Sequence, residues 1–216
     1  MQHVPHDTIG RKNVFAFLKE KTPPPSTIIY HSHLDTVSIE DFGSLKEHAF
    51  SPETLKQYFQ TYKSDTNVQA DAKSGEWLFG RGSLDMNNSA AIHLANILYF
   101  SEHMHLLKGN LLLLFIGDEE GEHRGIISAL TEFERLKQEK QLQYRLAIHN
   151  DFITLLYDGD TQRYIYTGTA SKLLPCFYIY GREVHVGDTL SGINPNFIAA
   201  QITNRLHNNY IHYHMK

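Results

Sequence analysis

The feature that most constrains this sequence is an unbroken apolar run, Leu111–Ile116, that ends at Gly117 and is followed by Asp118, Glu119 and Glu120. The run is too short to span a bilayer, which takes about 20 residues. A short apolar run bounded by glycine predicts a central strand buried on both faces, as in a parallel sheet flanked by helices. Ligands of such sheets bind just beyond the carboxyl ends of the strands. The three carboxylates therefore indicate either a cation site or a solvated acidic turn, and this stretch alone does not decide between them.

Length and composition exclude several classes of protein. The chain has 216 residues, of which 41% are hydrophobic and 20% charged, and this suits one domain or one and a half. Its formal charge of −4, without a basic patch, argues against a nucleic-acid partner. No membrane segment or signal peptide is indicated, and Cys176 is the only cysteine. We therefore expect a cytoplasmic protein without a membrane partner.

Alternating β and α patterns predict an α/β fold, with a mostly parallel sheet and helices on both faces. We expect a hairpin or short edge strand at residues 75–80 and, after a change of character near residue 164, a strand at 173–180 and a helix ending near 206. The main strands are predicted at residues 13–18, 27–31, 111–116 and 144–148, and the main helices begin near residues 52, 88 and 125.

Four segments place metal-type ligands where predicted strands or tight turns end. They contain His33, Asp85, the acids that follow Gly117, and Asp151. Four such segments together favour a shared metal site over a solvated turn. Imidazole with carboxylates is a ligand set for zinc, manganese or cobalt, and zinc is the commonest choice for hydrolysis.

The same segments resemble the ArgE/DapE/aminoacylase family of two-zinc amidohydrolases and exopeptidases. The matching motifs are His33–Val37, Gly80–Met86, Asp118–Glu120 and Asp151. Within that family the chain is most similar to RocB-like arginine utilization proteins, through Ile39–Lys46, Tyr164–Thr169 and Lys172–Pro175. The resemblance implies a zinc exopeptidase-like (phosphorylase/hydrolase-like) fold with the beginning of a small α+β lid domain.

The resemblance also implies roles for the metal ligands. His33, Asp85 and Asp151 would hold one zinc, while Asp85 would bridge to a second zinc bound by Glu120. A bridging carboxylate offers an oxygen to each ion and holds two cations about 3.5–4 Å apart, as two-metal hydrolysis requires.

Three further residues receive catalytic roles. Asp35 would accept the proton of the second ring nitrogen of His33 and so orient that ring, although it could instead cap a turn. Glu119 would act as general base, taking a proton from the attacking water and delivering it to the leaving amine. His185 would stabilise the oxyanion from the lid, often in a partner subunit, and a surface histidine is an equal alternative.

Two departures from the family pattern affect the prediction. Asn87 follows Met86 where the family usually has lysine, and the last ten residues do not resemble the region that supplies the family's second metal-binding histidine. We therefore expect a truncated member with one complete zinc site. The predicted divisions are an incomplete catalytic metallohydrolase domain at 1–168, the first part of a lid or dimerisation domain at 169–206, and an irregular tail at 207–216.

The expected function is metal-dependent hydrolysis of peptide or acyl-amino-acid amide bonds, of the exopeptidase or deacylase type, impaired here by truncation. The alternative is a non-catalytic metal-binding or interaction protein derived from the same family. Expected partners are the small substrate and, through the lid, a second copy or a complementing chain.

Overall fold

A computed structural model describes residues 1–20, 26–152, 155–168 and 176–214, with residues 189 and 208–214 described by backbone alone. The chain divides into two compact units, Met1–Arg163 and Tyr164–Lys216. Among the helices that the structure describes, none combines the length and apolar content needed to cross a bilayer. The strands are β1 (Gln2–His3), β2 (Lys12–Leu18), β3 (Ser26–His33), β4 (Asn110–Ile116) and β5 (Gln143–His149). The α-helices are α1 (Pro52–Gln60), α2 (Thr66–Ser74), α3 (Asn87–Glu102), α4 (Arg124–Lys140) and α5 (Pro195–His214), with 3-10 helices at Glu40–His48, Met104–Leu106 and Val186–Ser191.

The five strands form one mixed sheet in the order β1-β2-β4-β3-β5. β4 lies at the centre, parallel to β3 and antiparallel to β2, and β3 is also parallel to β5. The predicted α/β class is confirmed, but two of the four strand pairings are antiparallel. The most apolar strand takes the central position, where both its edges are paired and both its faces are covered.

Helices pack against both faces of the sheet, as predicted. On one face, Leu112 and Leu114 are fully buried and belong to clusters that include Leu136 and Ala129 of α4. Successive strand residues point to opposite faces. Tyr30 of β3 accordingly faces the other side, where its ring stacks on His93 of α3.

The segment before α3 differs from the prediction. Residues 75–80 form no strand. Gly75 adopts a left-handed conformation (φ 80°) and ends a helix, α2, that the sequence pattern did not predict. Asp65 caps the N-terminus of α2, and its carboxylate accepts hydrogen bonds from the amides of Asn67 and Val68 at 2.8 and 3.2 Å. Such a cap satisfies amides that would otherwise lack a partner in the first turn.

The longest element described in the second unit is α5. Arg182 and Ile193 form an isolated antiparallel bridge before this helix. Of the strand expected at 173–180, residues 173–175 lie outside the described residues and 176–180 are irregular. The tail expected to be irregular from residue 207 is instead helical through His214, because neither glycine nor proline occurs after Pro195 to end the helix.

Candidate metal centre

The candidate site lies at the carboxyl ends of β3 and β4. These strands pair in parallel, and their last residues, His33 and Ile116, are directly opposite each other. The amide of Leu34 donates to the carbonyl of Ile116 at 2.9 Å, so the chain leaving β3 stays beside the loop that follows β4. That loop contains Glu119 and Glu120, and the fold thus brings an imidazole and carboxylates to one edge of the sheet.

Asp85 reaches the same edge from the turn that precedes α3. The amide of Asn87 donates to the carbonyl of Gly82 at 2.8 Å and closes this turn. Met86 is fully buried, and its sulfur accepts the amide hydrogen of His33 at 3.3 Å. The turn is therefore attached directly to the end of β3.

Three of the four predicted ligands come together. His33, Asp85 and Glu120 each offer a ligand atom, and these atoms lie within 4.8 Å of one another. The closest pair is Nε2 of His33 and Oδ1 of Asp85, at 3.1 Å. His33 is 1% exposed, while the other two residues are half-buried. Within the described residues, no other cluster of three such side chains is close enough to hold an ion.

Asp35 orients the ring of His33 through its backbone. Nδ1 of His33 lies 2.9 Å from the Asp35 carbonyl oxygen but 3.8 Å from the nearer carboxylate oxygen. Since a carbonyl oxygen only accepts, Nδ1 carries the hydrogen and Nε2 keeps its lone pair for an ion. The orientation predicted for Asp35 is present, but a backbone carbonyl provides it in place of the carboxylate.

The Asp35 carboxylate instead supports the loop that follows β4. Its oxygens accept the amide hydrogen of Glu119 at 2.9 and 3.0 Å and that of Glu120 at 3.0 Å. Hydrogen bonds to an ionised acceptor are stronger than neutral ones. Asp35 therefore fixes the backbone of both acids while leaving their side chains free to face His33.

The electrostatics of the cluster suit a cation. Burial, and then repulsion from Asp85, raises the pKa of the Glu120 carboxyl above its usual value. A divalent ion would favour the charged form and reverse this shift. Imidazole nitrogen and carboxylate oxygen are both donors that zinc accepts, and three protein ligands leave a fourth position for water, as in catalytic zinc sites. The residues present therefore fit a single divalent ion.

The other predicted residues are placed differently. Glu119 lies beside the cluster, with Oε2 3.9 Å from Nε2 of His33. Asp151 is not in the three-residue cluster, and its Oδ2 lies 3.3 Å from Nε2 of His149. His185 belongs to the second unit and is exposed. The roles of these three residues stay predictions.

Two basic residues near the site were missed. Nδ1 of His123 lies 3.6 Å from Oε1 of Glu119, and its position shortly after the acids could have suggested it. Arg11 contacts Asp118 at 2.8 Å and Asp35 at 3.6 Å, from a segment that no local pattern connects to the acids.

A cavity of about 230 Å³ adjoins the cluster, and Asp85 and Glu120 are among the residues that line it. Its walls also include apolar Leu84 and Phe152 and the side chain of Arg81, which is paired with the carboxylate of Asp41. The cavity therefore offers both apolar and polar surface beside the ligand atoms, and the guanidinium of Arg81 already has an acidic partner.

A family model described as Peptidase family M20/M25/M40 matches residues 29–162. The chain is 62% identical over 208 residues to Protein RocB of Bacillus subtilis (strain 168), an alignment that covers 96% of this chain and 37% of that protein. It is 36% identical over 199 residues to Uncharacterized protein YqjN of the same organism, covering 91% and 36%. A more distant relative, at 24% identity over 202 residues, is Succinyl-diaminopimelate desuccinylase of Orientia tsutsugamushi (strain Boryong), with 90% and 43% covered. The chain thus spans less than half the length of each of these relatives.

Proposed function

Because the chain belongs to peptidase family M20/M25/M40, we propose that its metal centre hydrolyses the amide bond of a small peptide or an acyl-amino acid. The observation that supports this proposal most is the convergence of His33, Asp85 and Glu120 from separate segments at one edge of the sheet. The distant relative named as a desuccinylase supports an acylated amino acid as the substrate class.

We propose zinc as the ion, with manganese or cobalt as alternatives of similar coordination chemistry. The three-residue cluster would hold one ion, and a second ion would require Asp151 as an additional ligand of the pair. When bound, a divalent cation lowers the pKa of a coordinated water and polarises the amide carbonyl.

The chain's own side chains would perform the proton transfers. The Glu119 carboxylate lies beside His33 outside the three-residue cluster, so it is placed to take a proton from the attacking water and pass it to the leaving amine. The Asp35 carbonyl keeps the His33 ring in the tautomer that a ligand requires. The apolar wall at Leu84 and Phe152 would hold the uncharged part of the substrate and exclude water. His185 of the second unit is proposed to stabilise the oxyanion.

Zinc content and turnover of two matched variants test this proposal. The purified protein, washed with a weak chelator, should retain zinc by elemental analysis and should hydrolyse members of a panel of acyl-amino acids and dipeptides. Glu119→Gln should keep the zinc and lose roughly 10²–10⁴-fold in turnover, the usual contribution of a general base. Glu122→Gln, which changes an exposed acid of the same loop, should leave both unchanged. A folded protein that retains no zinc would end the hydrolase proposal.

A second function has an independent observation in its favour. β5 lies at one edge of the sheet, and Leu146 on it is 53% exposed. A non-catalytic or complementing role, in which another chain or a second copy covers this edge, is consistent with that exposure. In that case the protein should bind zinc but show no turnover, and Glu119→Gln should change nothing. We place either activity in the cytoplasm, where the exposed thiol of Cys176 would stay reduced.

A further inference from the structure

We propose that Arg11 is a positioning residue of the metal centre, holding the loop with Glu119 and Glu120 in place through Asp35 and Asp118. The inference rests on the proposed metal site but concerns a residue outside the part of the chain, residues 29–162, that matches the family model. Arg11 precedes β2 and touches none of the three clustered ligand residues, so its effect must be transmitted through its partners.

Asp7 orients the guanidinium of Arg11. The Asp7 carboxylate accepts hydrogen bonds from the backbone amide of Arg11 at 2.5 Å and from its Nε at 2.7 Å, and lies 2.6 Å from Nη2. The Asp7 side chain is screened from solvent, while that of Arg11 is 28% exposed. Three contacts to one carboxylate fix both the backbone and the plane of the guanidinium, which leaves its remaining hydrogens aimed in one direction.

Those hydrogens face two buried carboxylates that hold the ligand loop. Nη2 of Arg11 lies 2.8 Å from Oδ1 of Asp118, and Nη1 lies 3.6 Å from Oδ2 of Asp35. Asp35 accepts the amides of Glu119 and Glu120, and Asp118 accepts the amide of Arg124 at 3.3 Å. One guanidinium thus connects the supports at the beginning and the end of the loop.

The loop also packs tightly over this arrangement. A Cβ at Gly117 would lie 3.2 Å from the Cβ of Arg11 and 3.0 Å from the carbonyl of Lys12. A Cβ at Gly121 would lie 2.4 Å from Oδ1 of Asp118, the oxygen that contacts Arg11. Glycine at both positions lets the backbone approach the ion pairs closely. A displacement of either carboxylate would therefore be passed directly to the loop.

Charge gives Arg11 a second effect. It is one cation among three carboxylates, those of Asp7, Asp35 and Asp118, so the group keeps a net charge of −2 even with Arg11 present. Without Arg11, the like charges of Asp35 and Asp118 would repel each other, and at least one of the two carboxylates would move away. A displaced Asp35 carboxylate would release the amides of Glu119 and Glu120.

The test measures Co²⁺ affinity and the visible absorption spectrum of bound Co²⁺, which reports the number and geometry of the ligands. Arg11→Gln should weaken Co²⁺ binding by about 10–100-fold, the range typical of residues that support metal ligands, and should alter the spectrum. Arg11→Lys keeps the charge but not the fork of hydrogen-bond donors, so its loss should be intermediate. Arg135→Gln is the matched control, because Arg135 pairs with Glu132 and Glu139 on the exposed surface of α4. It should leave affinity and spectrum unchanged.

Asp7→Asn provides a second test of the positioning role if Arg11→Gln does not fold. It leaves Arg11 charged but less firmly oriented, and a smaller loss of Co²⁺ affinity in the same direction is expected. Wild-type affinity and spectrum in Asp7→Asn, or in a folded Arg11→Gln, would overturn the positioning role while leaving the proposed function intact. Failure of the wild-type protein itself to bind Co²⁺ or zinc would instead refute the proposed function.

Discussion

Gly125→Ala should perturb the metal centre through the contact between α4 and the end of β4. Gly125 lies in the first turn of α4, and a Cβ built there would be 2.4 Å from Cγ2 of Ile116 and 3.1 Å from Oδ1 of Asn13. Nonbonded carbon atoms prefer about 3.5–4.0 Å, so the added methyl group overlaps its neighbour by more than about 1 Å. Because Ile116 is 2% exposed at the end of β4, it has little room to rotate away.

The cost follows from which atoms must move. Overpacking of a well-packed core typically costs about 1–3 kcal/mol. The better helix propensity of alanine returns less than about 1 kcal/mol, since the position is in the first turn. We therefore expect a loss of about 1–2 kcal/mol in the free energy of unfolding. The side chain of Asn13 donates to the carbonyl of Gly125 at 2.8 Å and accepts the amide of Gly117 at 3.3 Å, so a shift of α4 reaches the start of the ligand loop. Affinity for Co²⁺ should fall by roughly tenfold, as for other residues that support ligands.

Urea denaturation of the metal-free protein and Co²⁺ titration measure the two effects separately. Gly168→Ala is the matched control, because it makes the same chemical change where a Cβ would have nothing within 4 Å. It should change the free energy of unfolding by less than about 0.5 kcal/mol. If Gly125→Ala matches the wild type in both measurements, then the close approach of α4 to β4 does not position the ligand loop, and the reasoning fails.

Three further predictions concern the stability of the metal-free fold. Burial, with smaller contributions from neighbouring histidines, lowers the pKa of His31 to about 4. Between pH 6.5 and 4 the unfolded chain therefore binds a proton at His31, with its ordinary pKa of about 6.5, while the folded chain does not. About 2–3 kcal/mol of the free energy of unfolding, fully present above pH 6.5, should be lost as the pH falls toward 4. Urea denaturation at a series of pH values should show a flatter slope for His31→Asn and an unchanged slope for the exposed His48→Asn. Leu114→Ala, at a fully buried position of β4, should cost about 2–5 kcal/mol in urea denaturation, and Leu130→Ala, 61% exposed on α4, should cost far less. Asp65→Ala removes the cap of α2 and should cost about 1 kcal/mol, seen as a lower thermal midpoint.

Local sequence patterns predicted the elements of this fold better than their arrangement. The apolar run of β4 and the spacing of apolar residues in α3 and α4 depend on neighbours in sequence, and the structure confirms those elements. The sheet order does not follow from such patterns, because β4 inserts between β2 and β3, which are consecutive in the chain. β2 thereby becomes antiparallel to its neighbour, a pairing that only the assembled sheet determines. α2 was missed because its apolar face is weak, although Asp65 offered a capping signal.

In the candidate site, too, the sequence indicated the candidate ligands better than the residues that hold those ligands in place. His33, Asp85 and the acids after Gly117 could be assigned to one candidate site because they lie where strands or a tight turn end, whereas the choice of Glu120 among those acids came from the family resemblance. Asp35 was predicted beside His33, but its carboxylate binds amides 84 and 85 residues away, a contact that has no local signature. Arg11 has no local signature either. In the sequence it is one arginine before β2, and only the sheet order shows that it lies against the ligand loop. A candidate ligand can be recognised by its residue type. A residue that supports a ligand is recognised by its distance from that ligand, which only the folded structure gives. For a metal centre of this kind, residue type and local pattern can therefore indicate the candidate ligands, whereas the charged residues that support those ligands are identified only in the folded structure.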